Sequence, residues 1–277
     1  MAEDFSARLN EMPEGWLQAT PDEVTSAFAE DGRILAAALG ARAMTRTLGH
    51  ASLMITGVPI PTLNGVVTLR PSVKAADAGK LLEVMERKHI PHSIQIRPGC
   101  GSELAELAAS RGLVEDEPVP LMVMQPAADR LGEVARHPDL SIRVLAPDEA
   151  SVHVAIGAEG FGAPVELFEA LVTPRVLAHP AFRAYVGTVD GEPVTTALAL
   201  AHGDHVGIFD VATPPRHRGR GYGAAVTARA ALDGFEAGAS FAYLQSSPAG
   251  FGIYERLGFR TLETWTVWVT PGAPSHS

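Results

Sequence analysis

The sequence predicts an α/β protein in which short strands alternate with helices. Three observations lead to this prediction. Apolar and polar residues alternate over short stretches such as residues 140–145, which is typical of a half-buried strand. Apolar residues recur at helical spacing in other stretches, such as residues 77–87. Turns such as Asp190-Gly191 separate these stretches, and 277 residues are enough for two modest domains or one large one.

The first half of the chain is expected to hold three helices and four strands. A helical pattern covers residues 20–48, with Thr20 or Asp22 as its cap. Two further helices are expected at residues 77–87 and 102–111, the second capped by Ser102 and ended by Gly112. The strands are expected at residues 51–58, 66–69, 92–96 and 121–124.

A polar stretch predicts a domain boundary. Residues 126–138 contain few large apolar side chains and are interpreted as a linker between a first domain, residues 1–125, and a second, residues 139–270. The second domain follows the order strand, helix, helix, three strands, helix, strand, helix, strand. Its elements are expected at residues 140–145, from 147 onward, and at 164–172, 184–189, 193–201, 206–213, 219–235, 242–245, 249–257 and 259–269.

Charge and cysteine content exclude several classes of protein. The formal net charge is -10 and the pI is about 5.4, which argues against a general nucleic-acid binder and leaves room for a cationic substrate such as an amine. Cys100 is the single cysteine, so no intrachain disulfide can form. Residues 1–16 do not resemble a secretory signal, and no apolar run is long enough for a membrane helix. A cytoplasmic location is therefore expected.

The stretch with the clearest chemistry is residues 209–232, where a strand leads into a basic, glycine-rich turn and then a helix. Gly219, Gly221 and Gly223 let backbone N–H groups approach a ligand closely. A helix N-terminus adds unpaired donors and a positive dipole end, and neighbouring arginines add charge suited to phosphate. The stretch therefore predicts an anion site. It lacks the Gly-Lys-Ser/Thr of a phosphate-binding ATPase loop and the spacing of a dinucleotide fingerprint.

The run Arg218-Gly219-Arg220-Gly221-Tyr222-Gly223 instead resembles the acetyl-CoA signature R/Q-x-x-G-x-G/A of the GNAT family of N-acetyltransferases. Downstream, residues 251–260, FGIYERLGFR, resemble that family's second signature, Y-x-x-x-G-F. The resemblance covers residues 140–269. It implies an acyl-CoA N-acyltransferase fold with a mixed sheet, and acetyl-CoA as the acyl donor.

The resemblance also implies roles for individual residues. Tyr254 stands where many members protonate the leaving CoA thiolate, and a phenol is a sensible donor to a thiolate. Ser247 stands where many members have asparagine, so its contact with the pantetheine arm is expected to be weaker. The residues implied to hold acetyl-CoA are Val211, Ala212 and Thr213 along the pantetheine arm, Arg218, Gly219, Arg220, Gly221, Tyr222 and Gly223 around the pyrophosphate, and Ser247.

The general base stays open at this point. Asp210 lies on the strand that leads to the motif, but strand alternation favours a side chain that points away from the cleft. Glu159 and Glu166 flank a glycine-rich segment and are equally open candidates. His202 and His205 flank a turn, and exposure is the favoured interpretation for both. No histidine pair has metal-ligand spacing, so no metal is expected.

The first half has features of a degenerate copy of the second. The segment from residue 51 to residue 124 runs strand, turn, helix, strand, helix, strand, as does the segment from residue 206 to residue 269. Residues 107–113 align with residues 253–259, and Ala108 then replaces Tyr254. The turn at residues 69–73 lacks the glycines, so such a copy has lost its cofactor site. An unrelated helical cap is the alternative.

The predicted function is transfer of an acetyl group from acetyl-CoA to an amine by direct attack in a ternary complex. A non-catalytic acyl-CoA-binding or regulatory module is the alternative, and an acceptor hydroxyl is a third possibility. The expected partners are a small-molecule amine or a peptide, with no nucleic acid and no membrane. A homodimer is left open.

Overall fold

Eleven strands form one continuous sheet in the computed structural model, which describes residues 19–126 and 128–272. Residues 1–16, on which the prediction of no secretory signal depends, lie outside these ranges. The strands are β1 (Met44–Leu48), β2 (Ala51–Ile55), β3 (Asn64–Thr68), β4 (Ser93–Ile96), β5 (Val114–Met124), β6 (Ser141–Val144), β7 (Phe182–Val189), β8 (Glu192–His202), β9 (His205–Ala212), β10 (Phe241–Gln245) and β11 (Arg260–Val269).

Nine α-helices accompany the sheet within the described residues. They are α1 (Pro21–Leu39), α2 (Ala75–Glu86), α3 (Glu103–Ser110), α4 (Ala128–Ala135), α5 (Ala150–Phe161), α6 (Val165–Leu171), α7 (Pro174–Leu177), α8 (Tyr222–Glu236) and α9 (Pro248–Leu257). Helix α1 begins with a capping box, because the Thr20 side chain accepts the Glu23 N–H and the Glu23 carboxylate accepts the Thr20 N–H. None of the described helices is long and apolar enough to cross a membrane.

The sheet order shows that the two halves of the chain exchange their last strands. The order is β1-β2-β3-β4-β11-β5-β10-β9-β8-β7-β6. Strand β5, from the first half, lies beside β10 of the second half, and β11, from the second half, lies beside β4 of the first. β5 and β11 also pair with each other along most of their length. The exchange joins the halves through backbone hydrogen bonds at the centre of the sheet.

The two halves have the same internal order, which confirms the tandem fold. β3 and β4 are parallel and joined through α2, just as β9 and β10 are parallel and joined through α8. The aligned helix ends also match: the Leu113 N–H donates to the Ala108 carbonyl at 3.1 Å, and the Phe259 N–H to the Tyr254 carbonyl at 3.0 Å. Each helix ends at a glycine with positive φ. Ala108 is therefore the counterpart of Tyr254.

One of the hydrophobic clusters is built from both halves. Ile34 of α1 and Ile60, just before β3, are buried with Phe168 of α6 and Leu198 of β8. Helix α1 buries side chains at a helical period along one face, so it forms part of a core that the first half alone would leave exposed to water.

The secondary structure differs from the predicted elements in several places. The helical pattern to residue 48 was wrong beyond Leu39: Gly40 ends the helix with φ 80°, and residues 44–48 pair with β2. β5 extends the strand predicted at residues 121–124 back to Val114, because β11 pairs with it. The predicted linker contains α4, which packs against α8. The four-residue helix α7 was missed.

Candidate functional site

β9 and β10 diverge and leave a gap at the centre of the second half. They pair in parallel only from His205 to Gly207 and from Phe241 to Tyr243. Along its other edge, β10 pairs with β5 from Ala242 to Gln245, and the Ser246 N–H donates to the Pro120 carbonyl at 3.0 Å. β9 continues along β8. The gap therefore lies between two strand ends whose other edges are already paired.

A β-bulge on β9 lies beside this gap. Thr196 pairs with Ala212 and Leu198 pairs with Phe209, so β9 carries one residue more than β8 over the same length. Asp210 lies in the bulge with φ 49°. Because the bulge breaks the alternation of the strand, Asp210 lines the adjacent cavity. The prediction from strand alternation, that this side chain points away from the cleft, is wrong.

The predicted pantetheine strand has part of its main chain already bonded. The Ala212 carbonyl accepts the Thr195 hydroxyl at 3.0 Å, and the Thr213 carbonyl accepts Nε of Arg218 at 3.0 Å. Val211 lies within the bulge, between Phe209 and Ala212. Residues 211–213 thus form the border of the gap, and the role predicted for them in binding pantetheine stays a prediction.

The glycine turn has the backbone shape that an anion site needs. Gly219 has φ 76° and Gly221 has φ 85°, both in the left-handed region that favours glycine. A Cβ on Gly219 would meet no atom within 4 Å, so the turn faces open space there. Helix α8 begins at Tyr222, next to these glycines. Its unpaired N–H groups and positive dipole end suit a phosphate.

The arginines of the turn tie it to helix α5. Arg218 donates through Nη2 to the Gly160 carbonyl at 2.5 Å, in addition to its bond to Thr213. Arg216 forms an ion pair with Glu159. Arg220 is exposed. The Arg218 side chain therefore holds the shape of the turn as well as contributing charge.

Helix α5 approaches the bulge very closely at Gly160. A Cβ at this position would lie 2.8 Å from the Cβ of Ala212 and 3.2 Å from the Thr213 nitrogen. Glycine is therefore required where the helix end meets the strand end. This contact and the Arg218 bond fix α5 against β9.

Two residues of the turn region have a structural contact that the sequence reasoning did not reveal. His137 contacts the Arg220 carbonyl through Nε2 at 2.9 Å, and its ring meets the Tyr222 ring edge-on at 5.1 Å. The Tyr222 side chain is 4% exposed and packs with Leu140 and Ala225. Only its backbone N–H is therefore suited to bind a ligand. His137 lies more than 80 residues away in sequence, so no local signal identifies this contact.

Helix α9 carries Ser247 and Tyr254. The Ser247 hydroxyl caps the helix by accepting the Gly250 N–H at 3.3 Å. Tyr254 packs edge-on against Phe259 at 6.0 Å, and burial raises the pKa of its phenol to about 12. The phenol therefore stays protonated at neutral pH and has a proton to give.

A cavity of about 160 Å³ lies between the two halves. The first half contributes α1 and β1 to β4, and the second contributes α6 and β7 to β10. Asp210 and Gln245 both line it, so it reaches the gap between β9 and β10. Its wall is mostly apolar, with large side chains that include Phe28, Leu35, Met54, Leu171, Phe182 and Phe209.

A buried polar cluster reaches the cavity wall through Asp31. Asp31 bonds to Nε2 of His205 at 2.9 Å and to the Tyr243 hydroxyl at 2.5 Å. Burial raises the pKa of Asp31. Burial alone would lower the pKa of His205, but the hydrogen bond and charge of Asp31 outweigh it, and the pKa of His205 is raised. His205 is thus buried, against the sequence prediction, whereas His202 is exposed as expected.

The other acid candidates lie outside the cavity. Glu159 is occupied by Arg216, and Glu166 is exposed on α6. Cys100 is half-buried, and burial raises the pKa of its thiol, which disfavours the reactive thiolate. No group of three or more His, Cys, Asp or Glu in the described residues could hold a metal ion.

The equivalent gap in the first half is closed. The Arg97 N–H donates to the Thr68 hydroxyl at 2.9 Å, which bridges the ends of β3 and β4. The Arg97 side chain is 1% exposed and forms ion pairs with Asp22 and with Glu263 of β11, both at 2.8 Å. A bonded arginine thus fills the place where β9 and β10 leave an opening. The first half also lacks the turn glycines.

Comparison with known proteins agrees with this geometry. Residues 158–259 match the family model described as the acetyltransferase (GNAT) family. The match assigns residues 158–259 to a GNAT-family domain. The matched residues run from the end of α5 to the end of α9, so they include the glycine turn, the bulge and Tyr254. No curated protein matches the sequence.

Solved structures share the GNAT fold over nearly the whole chain. A GCN5-related N-acetyltransferase from Kribbella flavida is 22% identical, with a TM-score of 0.66 over 92% of this chain and 97% of that one. One from Sphaerobacter thermophilus is 15% identical, with a TM-score of 0.55 over 93% and 96%. A tandem GNAT protein from the clavulanic acid biosynthesis pathway is 14% identical, with a TM-score of 0.53 over 94% and 98%. At these identities the likeness concerns the fold.

Proposed function

We propose that this protein transfers an acetyl group from acetyl-CoA to an amine. The observation that supports this most is the joint position of two features: the gap between β9 and β10, and the glycine turn at the start of α8. The gap offers main-chain groups to an extended arm, and the turn offers N–H donors to a pyrophosphate. Acetyl-CoA has both parts, and it supplies an activated thioester.

Different residues of the second half are proposed to bind different parts of acetyl-CoA. Gly219 and Gly221 open the turn, and Arg218 holds its shape through Thr213 and Gly160. Val211 and its neighbours border the gap and are proposed to bind the pantetheine arm. The Ser247 hydroxyl already accepts an N–H, which leaves its own proton for a ligand.

Tyr254 is proposed to donate its proton to the departing thiolate. Its neutral phenol and its position on α9, which follows β10 directly, support this role. A phenol of high pKa gives up its proton only to a strong base, and a developing thiolate is such a base. The step leaves a phenolate that must regain a proton from the amine nitrogen.

The domain limits of 1–125, 126–138 and 139–270 remain a proposal, with the first domain as a copy that has lost its acetyl-CoA site. The closed gap at Arg97 and the replacement of Tyr254 by Ala108 support this division of roles. The cytoplasmic location and the homodimer stay predictions.

Calorimetric titration with acetyl-CoA tests the proposal. Wild-type protein is expected to bind, and Arg218→Ala is expected to weaken binding by about 1 to 3 kcal/mol. Arg143→Ala is the matched control, because Arg143 is an exposed arginine of the same half that pairs with Glu149. Thiol release from acetyl-CoA in the presence of primary amines is the second measurement. No binding by the wild type overturns the proposal, and binding without thiol release indicates the acyl-CoA-binding module instead.

A further inference from the structure

Given the proposed function, we infer that the cavity between the two halves binds the acceptor, and that this acceptor is a primary amine with a compact apolar body whose ammonium group faces Asp210. Asp210 is then the base that takes a proton from the amine. The inference joins three observations: the position of the cavity, its apolar wall and its single unsatisfied carboxylate.

The cavity lies where an acceptor must lie. Asp210 on β9 and Gln245 on β10 stand on the two sides of the gap, and both line the cavity. Asp210 also directly precedes Val211, the first residue proposed to contact the pantetheine arm. An amine in the cavity is therefore close to a thioester in the gap.

The wall of the cavity indicates an apolar body. Phe28 and Met54 from the first half face Phe182 and Phe209 from the second. An apolar cavity of roughly 150 Å³ holds a molecule the size of benzene. The cavity between the two halves has nearly the same volume, about 160 Å³. A single aromatic ring or a short branched chain fits this description, whereas a polyamine or a peptide leaves polar groups unpaired in the wall.

The charge of the cavity indicates a cation. Asp210 lines the cavity with a side chain that is 22% exposed, and its carboxylate forms no hydrogen bond within the described residues. Its Oδ2 is buried, and Nε2 of His153 is 3.9 Å from it, too far for a direct bond. Asp31, the other carboxylate in the wall, is satisfied by His205 and Tyr243. None of the described residues that line the cavity is a lysine, arginine or histidine. An ammonium group in the cavity would supply the partner that the Asp210 carboxylate lacks.

The proton then has a defined path. The ammonium gives one proton to the Asp210 carboxylate, which frees the nitrogen lone pair. The nitrogen attacks the carbonyl carbon of the thioester, the C–N bond forms, and the C–S electron pair leaves on sulfur. Tyr254 protonates the sulfur and regains a proton from the nitrogen, which keeps one proton as an amide. Asp210 later returns its proton to water.

This arrangement gives the first half a role in binding the acceptor. It holds no open acetyl-CoA gap, yet α1, β1, β2 and β3 supply about half of the acceptor wall. Thr45 of β1 lines the cavity, whereas the next residue, Arg46, is exposed on the opposite face of the strand. The degenerate copy is therefore the part of the protein that selects the acceptor.

The test uses 2-phenylethylamine as the probe. 2-Phenylethanol is the matched molecule without the positive charge, and 2-(2-aminoethoxy)ethanol is the matched amine without the apolar body. The full chain is titrated calorimetrically with each, with and without CoA. We expect the amine probe to bind at least about tenfold more tightly than either. Acetyl transfer to it should be correspondingly faster than to the polar amine. Equal rates of acetyl transfer to the two amines overturn the inference. A preference for butyryl-CoA over acetyl-CoA also overturns it, because the cavity would then hold an acyl chain.

Two pairs of variants complete the test. Asp210→Asn should lower kcat/KM for the probe by about 10² or more, because it removes the base, while the Kd for acetyl-CoA stays the same. Asp190→Asn is its control, since Asp190 is exposed and has the same φ of 49°. Thr45→Trp should abolish probe binding by filling the cavity, whereas Arg46→Trp should not. Unchanged kcat/KM in Asp210→Asn overturns the role of Asp210.

These outcomes are separable from failure of the proposed function. If the wild type does not bind acetyl-CoA, the proposed function is wrong, but the amine titration still reports on the cavity. Probe binding that Asp210→Asn weakens would then support the amine site alone. Absence of probe binding to a folded wild-type protein, with an unchanged melting temperature on adding the probe, overturns the site.

Discussion

Asp31 of the first half and His205 of the second half are joined by a hydrogen bond of 2.9 Å inside the protein. Asp31 lies on α1 and His205 begins β9, so the bond links the helix that covers the sheet to the strand that carries Asp210. Tyr243, on the facing strand β10, bonds to the other carboxylate oxygen. The cluster therefore fixes both sides of the gap just where the strands begin to separate.

This cluster predicts a pH-dependent stability. The pKa of His205 is raised above 6.5 in the folded protein, so its stabilisation is complete below pH 6.5 and is lost as pH rises through the raised value. We expect Asp31→Asn to lose about 1 to 3 kcal/mol at pH 6, because the buried His205 and Tyr243 lose their charged partner. The difference from wild type should shrink toward pH 9.

Urea denaturation at pH 6, 7, 8 and 9 measures this effect. Asp204→Asn is a useful control, because Asp204 also neighbours His205 but its side chain is 77% exposed. A difference between wild type and Asp31→Asn that grows with pH would contradict the assignment of a raised pKa to His205.

Tyr254→Phe is predicted to lower kcat by about 10² while leaving the Kd for acetyl-CoA nearly unchanged. The raised pKa, about 12, means that the phenol stays protonated across the working range. The kcat of the wild type should therefore show no descending limb from this group between pH 7 and 10. Steady-state kinetics over that range measures it. Equal kcat in the two proteins, or a limb near pH 9 that the variant removes, would refute the acid role.

Gly219→Ala is predicted to weaken acetyl-CoA binding by about tenfold. The new Cβ would occupy the open space beside the turn where the pyrophosphate is proposed to bind. Alanine is also strained at φ 76°. Gly191→Ala is a close control: φ is 83°, and its Cβ also meets nothing within 4 Å. Both variants should lose about 1 kcal/mol of stability, but only the first should lose affinity. Titration and thermal melting separate the two effects, and equal affinities would remove the turn from the site.

Arg97→Leu is predicted to destabilise the protein by about 3 to 5 kcal/mol, because Glu263 would remain largely buried without a partner. The double variant with Glu263→Leu should recover part of that loss. Arg33→Leu, which removes an exposed pair with Glu30, should cost about 1 kcal/mol or less. Chemical denaturation gives the three values. Similar losses for Arg97→Leu and Arg33→Leu would mean that the closed gap of the first half does not depend on this arginine.

The sequence predicted those parts of the site whose backbone conformation depends on residues close together in the chain. The glycine turn before α8 and the matched helix ends at Ala108 and Tyr254 depend on residues a few positions apart, and their backbone angles follow from glycine and helix capping. The same local signals predicted the repeated fold, which the matching parallel strand pairs and helix ends confirm. Strand β1 was missed because its apolar residues fit a helical pattern until Gly40 is recognised as a stop.

The sequence by itself determined the GNAT family resemblance, the repeated order of elements and the turn suited to a pyrophosphate. Only the tertiary structure decided the exchange of β5 and β11, the direction of Asp210, the burial of His205 and the cavity shared by the halves. The physical reason is distance along the chain. Asp31 and His205 are 174 residues apart, and the bulge that turns Asp210 depends on how β9 meets β8, so neither leaves a periodic signal in the sequence.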